Sequence, residues 1–258
     1  ARAMGPEEIE MYRRQQSADD YEFAPPVQMP YFVVPKYWED EIDPAGRPDA
    51  ARIGRGLEAF ASPGEYEPVN FVLYAVDDLE DVAIEVRDLK SATGVLKADS
   101  LDVRLVLRRL MRDLYTVAPH RSTIVSRFLL PYSPVKIPAG TFREYHLIVH
   151  VPQDAAAGNY KGTIRIAPKN GPSFELPLAM EVLPVRLGPP GDKGYGVYYR
   201  FPTADGDWSG VETELADIRR HGGHMLVANL TIAHEIVDGR AEPSYEGVRR
   251  GLDLLKKH

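Results

Sequence analysis

The sequence contains no cysteine, which excludes disulfides and thiolate metal sites and leaves the redox compartment open. No run of about 18 apolar residues occurs, so no helix of membrane-spanning length is expected. A Gly-x-Ser-x-Gly elbow is missing, and no serine or threonine stands in a recognisable nucleophile motif. Positive charge is not in excess: 31 basic residues face 38 acidic ones, interspersed, for a net charge of -7. A nucleic-acid partner would want a basic face, so none is expected. Ala1 is neither an initiator methionine nor the start of a signal peptide, so the chain reads as a processed or excised piece of a longer protein.

What is present is turn chemistry. The 258 residues include 22 prolines and 21 glycines, which favours short strands in a β-rich chain. Residues 1–51 read as a short N-terminal helix, with Ile9 and Tyr12 on one side, followed by a proline-rich extended lead-in. Its Tyr31, Phe32 and Trp38 are read as core residues of a first strand rather than as a sugar-stacking platform.

From residue 52 to 186 the hydrophobic period is two. Val69–Val76 is apolar on both faces, as a central sandwich strand would be. Val82, Ile84 and Val86 alternate with Glu85 and Arg87, and Val103, Leu105 and Leu107 with Arg104 and Arg108. Tyr145, Leu147, Val149 and Val151 alternate with His146 and His150. Two further strands follow, and no helix-length amphipathic stretch intervenes. The pattern predicts an antiparallel immunoglobulin-like β-sandwich. Within it, Asp154, Gly158 and Tyr160 precede a strand in a way that lets the phenol reach back to the corner's backbone. The cysteine usual two residues later is Gly162, so Tyr160 is expected to be structural.

Residues 187–258 open with a Pro-Gly linker and then change character. Tyr195–Phe201 is strand-like, and Ser209 is read as the N-cap of a helix that stops at Gly222. His224–Thr231 is apolar enough for a buried parallel strand, and Ser244–His258 begins another helix. These are expected to be the first βα units of a (β/α)8 barrel. A closed barrel takes about 250 residues, so the rest is expected from the C-terminal region or from another chain.

Several stretches together carry a family resemblance: "YFVVPKYWEDEIDPAGRPD", "AFASPGEYEPVNFVLYA", "FLLPYSPVKIPAGTFREYHLIVHVPQDAAAGNYKGTIRI" and "IRRHGGHMLVAN". From about Tyr31 onward the chain resembles glycoside-hydrolase-like proteins related to glycoside hydrolase family 123. The resemblance implies a sandwich ahead of a (β/α)8 barrel, a carbohydrate substrate and no cofactor. It also implies hydrolysis of N-acetylhexosaminides assisted by the substrate's own 2-acetamido group. There an adjacent Asp-Glu pair on a later barrel strand orients the acetamide and acts as acid and base. No Asp-Glu pair follows Trp208, and the Glu39–Glu41 run sits in the lead-in as a solvated face. The catalytic strand is therefore expected beyond His258, the parent is expected to be an enzyme, and this chain is expected to be inert. An extracellular or cell-envelope location is expected.

Barrel sites gather at the C-terminal ends of strands, which singles out Tyr199, Arg200 and Asn229, with Asp205 and Asp207 in the first loop. Arg200 and Asn229 could donate to sugar hydroxyls and Tyr199 could stack, or Tyr199 is core and Arg200 pairs with a carboxylate. His221, His224 and His234 with Glu235 lack the spacing of a zinc helix and read as helix-end or strand-start residues, so no metal is expected. Asn229-Leu230-Thr231 matches a glycosylation sequon, within a strand expected to be buried. Two rivals stand beside the hydrolase reading. A non-catalytic carbohydrate-binding module would expose a row of aromatics on one sheet, and a structural or assembly protein would offer a long unpaired edge strand.

Overall fold

A computed structural model describes residues 29–37, 50–112, 122–188 and 194–257. The helix expected within Ala1–Asp20, Trp38 and the Glu39–Glu41 run lie outside the described residues, as do Pro189 and Pro190 of the linker. The chain divides into two compact units, Ala1–Leu187 and Gly188–His258.

The first unit is built of strands β1 (Tyr31–Lys36), β2 (Leu57–Ala61), β3 (Tyr66–Ala75), β4 (Leu79–Val86), β5 (Leu89–Lys90) and β6 (Val95–Leu96). There follow β7 (Leu101–Arg112), β8 (Ser122–Pro131), β9 (Val135–Ile137), β10 (Phe142–His150), β11 (Gly158–Ala167) and β12 (Phe174–Val182). They form one sheet in the order β1-β3-β10-β7-β8 and another in the order β2-β12-β11-β4-β9, with β5 paired to β11 and β6 to β5. Period-two alternation turns one face of each sheet inward. Phe71, Leu73, Tyr145, Leu147 and Val149 from the first sheet share one core with Val82, Ile84, Ile164, Ile166, Leu176 and Leu178 from the second. The unit is a β-sandwich. Tyr31 lies in that core, and its hydroxyl donates to the carbonyl of Pro172 at 2.8 Å.

The two-faced apolar character of β3 has a specific cause. Val69, Phe71, Leu73 and Ala75 enter the main core, while Val72 and Tyr74 join Phe32 and Val34 in a second cluster on the sheet's other face. Farther along that outer face Lys36, Asn70, His146 and Arg104 stand in register on neighbouring strands. Buried Glu144 lies 3.1 Å from the Lys36 ammonium and accepts from the Ser126 hydroxyl at 2.8 Å.

The sandwich departs from the expected all-antiparallel pattern at one edge, where β2 runs parallel to β12, Leu57 facing Leu178. Pairing between segments so far apart in sequence leaves no local turn signal. Strand β8 was equally silent, because Phe128, Leu129 and Leu130 are consecutive rather than alternating.

The second unit contains β13 (Gly196–Arg200), helix α1 (Val211–Arg220), β14 (Met225–Asn229), β15 (Ala233–Val237), β16 (Arg240–Ser244) and helix α2 (Glu246–Lys257). Strands β13 and β14 pair in parallel, while β15 and β16 form an antiparallel hairpin. The hairpin was not anticipated, although its turn residues Asp238 and Gly239 carry the signal. Both have positive φ, 50° and 76°, as a two-residue type I′ loop requires. The N-cap of α1 is Gly210 rather than Ser209, and no side chain caps it. Asp207 accepts from the Ser209 amide at 2.9 Å and from its hydroxyl, which engages the side chain that would have capped the helix. Gly222, with φ of 85°, follows the helix end as expected.

Candidate functional site

The alternation of β13 sorts the candidate residues onto opposite faces of the second unit's parallel pair. Phe201, Trp208, Val211 and Leu215 form a buried cluster against which Tyr199, Leu226, Ala228, Leu230, Leu254 and Leu255 pack. Both helices therefore cover the face that carries Tyr199. Its ring meets Phe201 edge-on at 4.8 Å between centroids, and its hydroxyl donates to the Glu214 carboxylate on α1. Burial, then that hydrogen bond, pushes the phenol's pKa up. Of the two readings open for Tyr199, stacking on a sugar or packing in the core, the contacts here are those of packing on the helix side.

Arg200 and Asn229 stand directly opposite each other at the C-terminal ends of the two strands, both exposed. The amide of Phe201 donates to the Asn229 carbonyl at 3.2 Å, which ties the strand ends together. By period two, the tyrosine sharing the Arg200 face is Tyr198, which is 82% exposed. Sequence reasoning passed it over. Alternation alone puts Tyr198 and Tyr199 on opposite faces, and only the entry of Phe201 into the helix cluster decides that Tyr199 shares its side. Met225 and Val227, also exposed, lie on the Asn229 side of β14, so the strand is not buried on both faces as expected.

Asp205 and Asp207 lie in the loop between β13 and α1, both exposed. The Thr203 hydroxyl and its own backbone amide hold Asp205 below the usual carboxylate range. The Ser209 amide and hydroxyl do the same for Asp207. Both are ionised acceptors at neutral pH, poorly suited to protonate a leaving group. Trp208 anchors the loop by donating from Nε1 to the Thr203 carbonyl at 2.9 Å.

The histidines do not converge. His221 Nδ1 lies 2.9 Å from the Asp217 carbonyl and His224 Nδ1 lies 3.3 Å from the Gly222 carbonyl, both at the end of α1. His234 is on β15, facing Pro243 across the hairpin. Among the described residues no group of three histidine, aspartate or glutamate side chains is arranged to hold a metal ion. Likewise, no helix among them is long and apolar enough to cross a membrane.

Residues 57–168 match the model of the glycoside hydrolase 123 N-terminal domain. Among solved structures, the chain is similar to a family 123 glycoside hydrolase from Clostridium perfringens, studied for the details of glycolipid glycan hydrolysis. The TM-score is 0.62 at 12% identity, over 78% of this chain and 40% of that one. The match thus covers less than half the length of that hydrolase. A weaker likeness is to AvmM, which catalyses macrocyclization in alchivemycin A biosynthesis, with a TM-score of 0.30 at 11% identity over 52% of this chain and 89% of that one. No curated protein matches in sequence.

Proposed function

The chain is related to glycoside hydrolase family 123, and from that relation we propose that it is the N-terminal portion of a carbohydrate-active, glycoside-hydrolase-type protein. In this reading the second unit is the first two βα units of a (β/α)8 barrel, and its strand ends contribute to glycan binding. One observation carries the reading. Parallel β13 and β14 have helices packed against one face only, while the other presents exposed Tyr198, Arg200 and Asn229. A (β/α)8 barrel has this layering, with helices outside and ligands at the C-terminal ends of the strands.

The proposed roles follow from chemistry. Arg200 and Asn229 donate to sugar hydroxyls, and Asp205 accepts from them. Substrate-assisted hydrolysis of an N-acetylhexosaminide needs a carboxylic acid beside the leaving oxygen and a carboxylate beside the acetamide. Asp205 and Asp207 lie in one loop and are both held ionised, so neither is assigned the acid's role. The same reading suits an extracellular or cell-envelope setting, where glycans are met. The carbohydrate-platform rival is not favoured, since Tyr31, Phe71, Tyr145 and Tyr160 are buried rather than displayed on a sheet.

The test is a titration of isotope-labelled chain with an N-acetylhexosamine, followed by amide shifts. Shifts confined to Arg200, Asn229 and the 202–207 loop, abolished in Asn229→Ala, are expected. An aryl N-acetylhexosaminide should not be turned over. Turnover that disappears in Asp205→Asn would move the chemistry into this loop and overturn the assignment.

A further inference from the structure

The arginines of this acidic chain are unevenly placed. Strands β7 and β8 hold five arginines and one aspartate, with no lysine or glutamate, while the remaining residues hold 26 basic and 37 acidic ones. Within the sandwich this basic pair forms one margin of the first sheet, and β8 is its terminal strand. Among the described residues β8 pairs with β7 alone, so the alternate residues whose backbone groups point away from β7 have no strand beside them.

The side chains of that edge are unusual for an exposed strand. Phe128, Leu129 and Leu130 are each 40–47% exposed. Single exposed apolar residues need no explanation, but three in a row on an edge strand form a patch. Because they are consecutive, they project to both faces of the sheet. The guanidinium groups of Arg109 and Arg127 lie 5.8 and 5.6 Å from the Phe128 ring centroid. Two like charges therefore converge on one exposed ring, and among the described residues no carboxylate pairs with either.

We infer that the free edge of β8 receives an acidic, extended segment of a partner protein, which adds to the sheet as a further strand. Backbone pairing gives such a mode its affinity, and alternate side chains give its specificity. Carboxylates of the added strand lie on the Phe128 face, where they meet Arg109 and Arg127, and its alternate apolar side chains cover Leu129 on the other. A second copy of this chain fits poorly, since β8 holds no carboxylate, so pairing it with itself brings two arginine-bearing margins together and leaves Arg109 and Arg127 unmatched. A flat anionic bilayer reaches only one of the two faces. Arginines and bulges also serve to guard edges against pairing. The irregularity here lies between the Leu107–Phe128 and Arg108–Ser126 pairs, however, which leaves Phe128 to Leu130 regular and unguarded.

The probe is a ten-residue synthetic peptide alternating glutamate with valine, added to the full chain, with a lysine-for-glutamate peptide as control. The acidic peptide should slow amide exchange at 125–131, and the lysine peptide should not. The double variant Arg109→Glu/Arg127→Glu should weaken binding at least tenfold. Leu129→Asp should weaken it while leaving exchange in 69–75 unchanged, which shows that the variant is folded. Equal binding of both peptides, or protection elsewhere than β8, would overturn the proposal. So would sedimentation showing a dimer lost in Leu129→Asp, or binding to phosphatidylserine vesicles lost in the double variant, because the occupant would then be another copy or a membrane.

Discussion

The hydroxyl of Tyr160 donates to the carbonyl of Ala156 at 2.8 Å, four residues back across the corner that leads into β11. The ring is buried, so the bond closes a corner that has no disulfide to hold it. Tyr160→Phe keeps the ring and removes the bond. It should lower stability by about 0.5–1.5 kcal/mol, the range for a neutral hydrogen bond. Denaturant midpoints measure the effect, and an unchanged midpoint would remove the corner from the account of stability.

Gly162 stands where such corners often carry a cysteine. A methyl group there would come within 2.6 Å of Leu89 Cδ2 and 2.9 Å of the Asp88 carbonyl oxygen. Leu89 is itself buried, so neither neighbour can retreat freely. Gly162→Ala should cost about 1–3 kcal/mol through overpacking. A thermal melt equal to the parent's would show that β5 yields.

His146 offers a pH readout of the outer polar row. Its Nδ1 lies 2.6 Å from Asn70 Oδ1. Burial lowers the pKa from the usual 6.5, opposed by Glu144 and Asp102 and reinforced by Lys36. A depressed folded pKa means that the native state prefers the neutral ring. The stability this supplies is complete above the unfolded value and is lost as pH falls through the folded one. Unfolding midpoints of the parent should therefore drop on acidification from about pH 7.5 to about 5 more steeply than those of His146→Gln. Parallel slopes would assign the acid sensitivity to other groups.

Tyr199 and Tyr198 should separate cleanly. Tyr199→Phe removes the hydrogen bond to Glu214 and should cost about 0.5–1.5 kcal/mol without changing glycan affinity. Tyr198→Ala should leave stability within about 0.5 kcal/mol, as at other exposed positions. Loss of glycan binding in Tyr199→Phe alone would contradict the sorting of faces.

The two units should differ in local stability. The sandwich buries residues from two multi-stranded sheets in one core, whereas β13 and β14 are a two-stranded sheet with one exposed face. Amides of 196–200 and 225–229 should exchange faster than those of 69–75 and 145–149 when the chain is studied alone. Equal protection would indicate that the open face of β13 and β14 is covered by another chain.

The alternation of Tyr145, Leu147 and Val149 with His146 and His150 was enough to turn that strand the right way, because period two is a local property. The same holds for the Tyr160 corner, where Gly158 and the phenol lie within a few residues of the carbonyl they serve. What pairs with what was beyond such reasoning. Parallel β2 and β12 are joined by contacts more than a hundred residues apart, and β8 acquires its place only by lying beside β7. The sorting of Tyr198 from Tyr199 required knowing which face the helices cover, a tertiary choice set by Phe201, Trp208 and Leu215. Sequence pattern decides which residues alternate. Only packing between distant segments decides which of the two alternating faces is left open to a ligand.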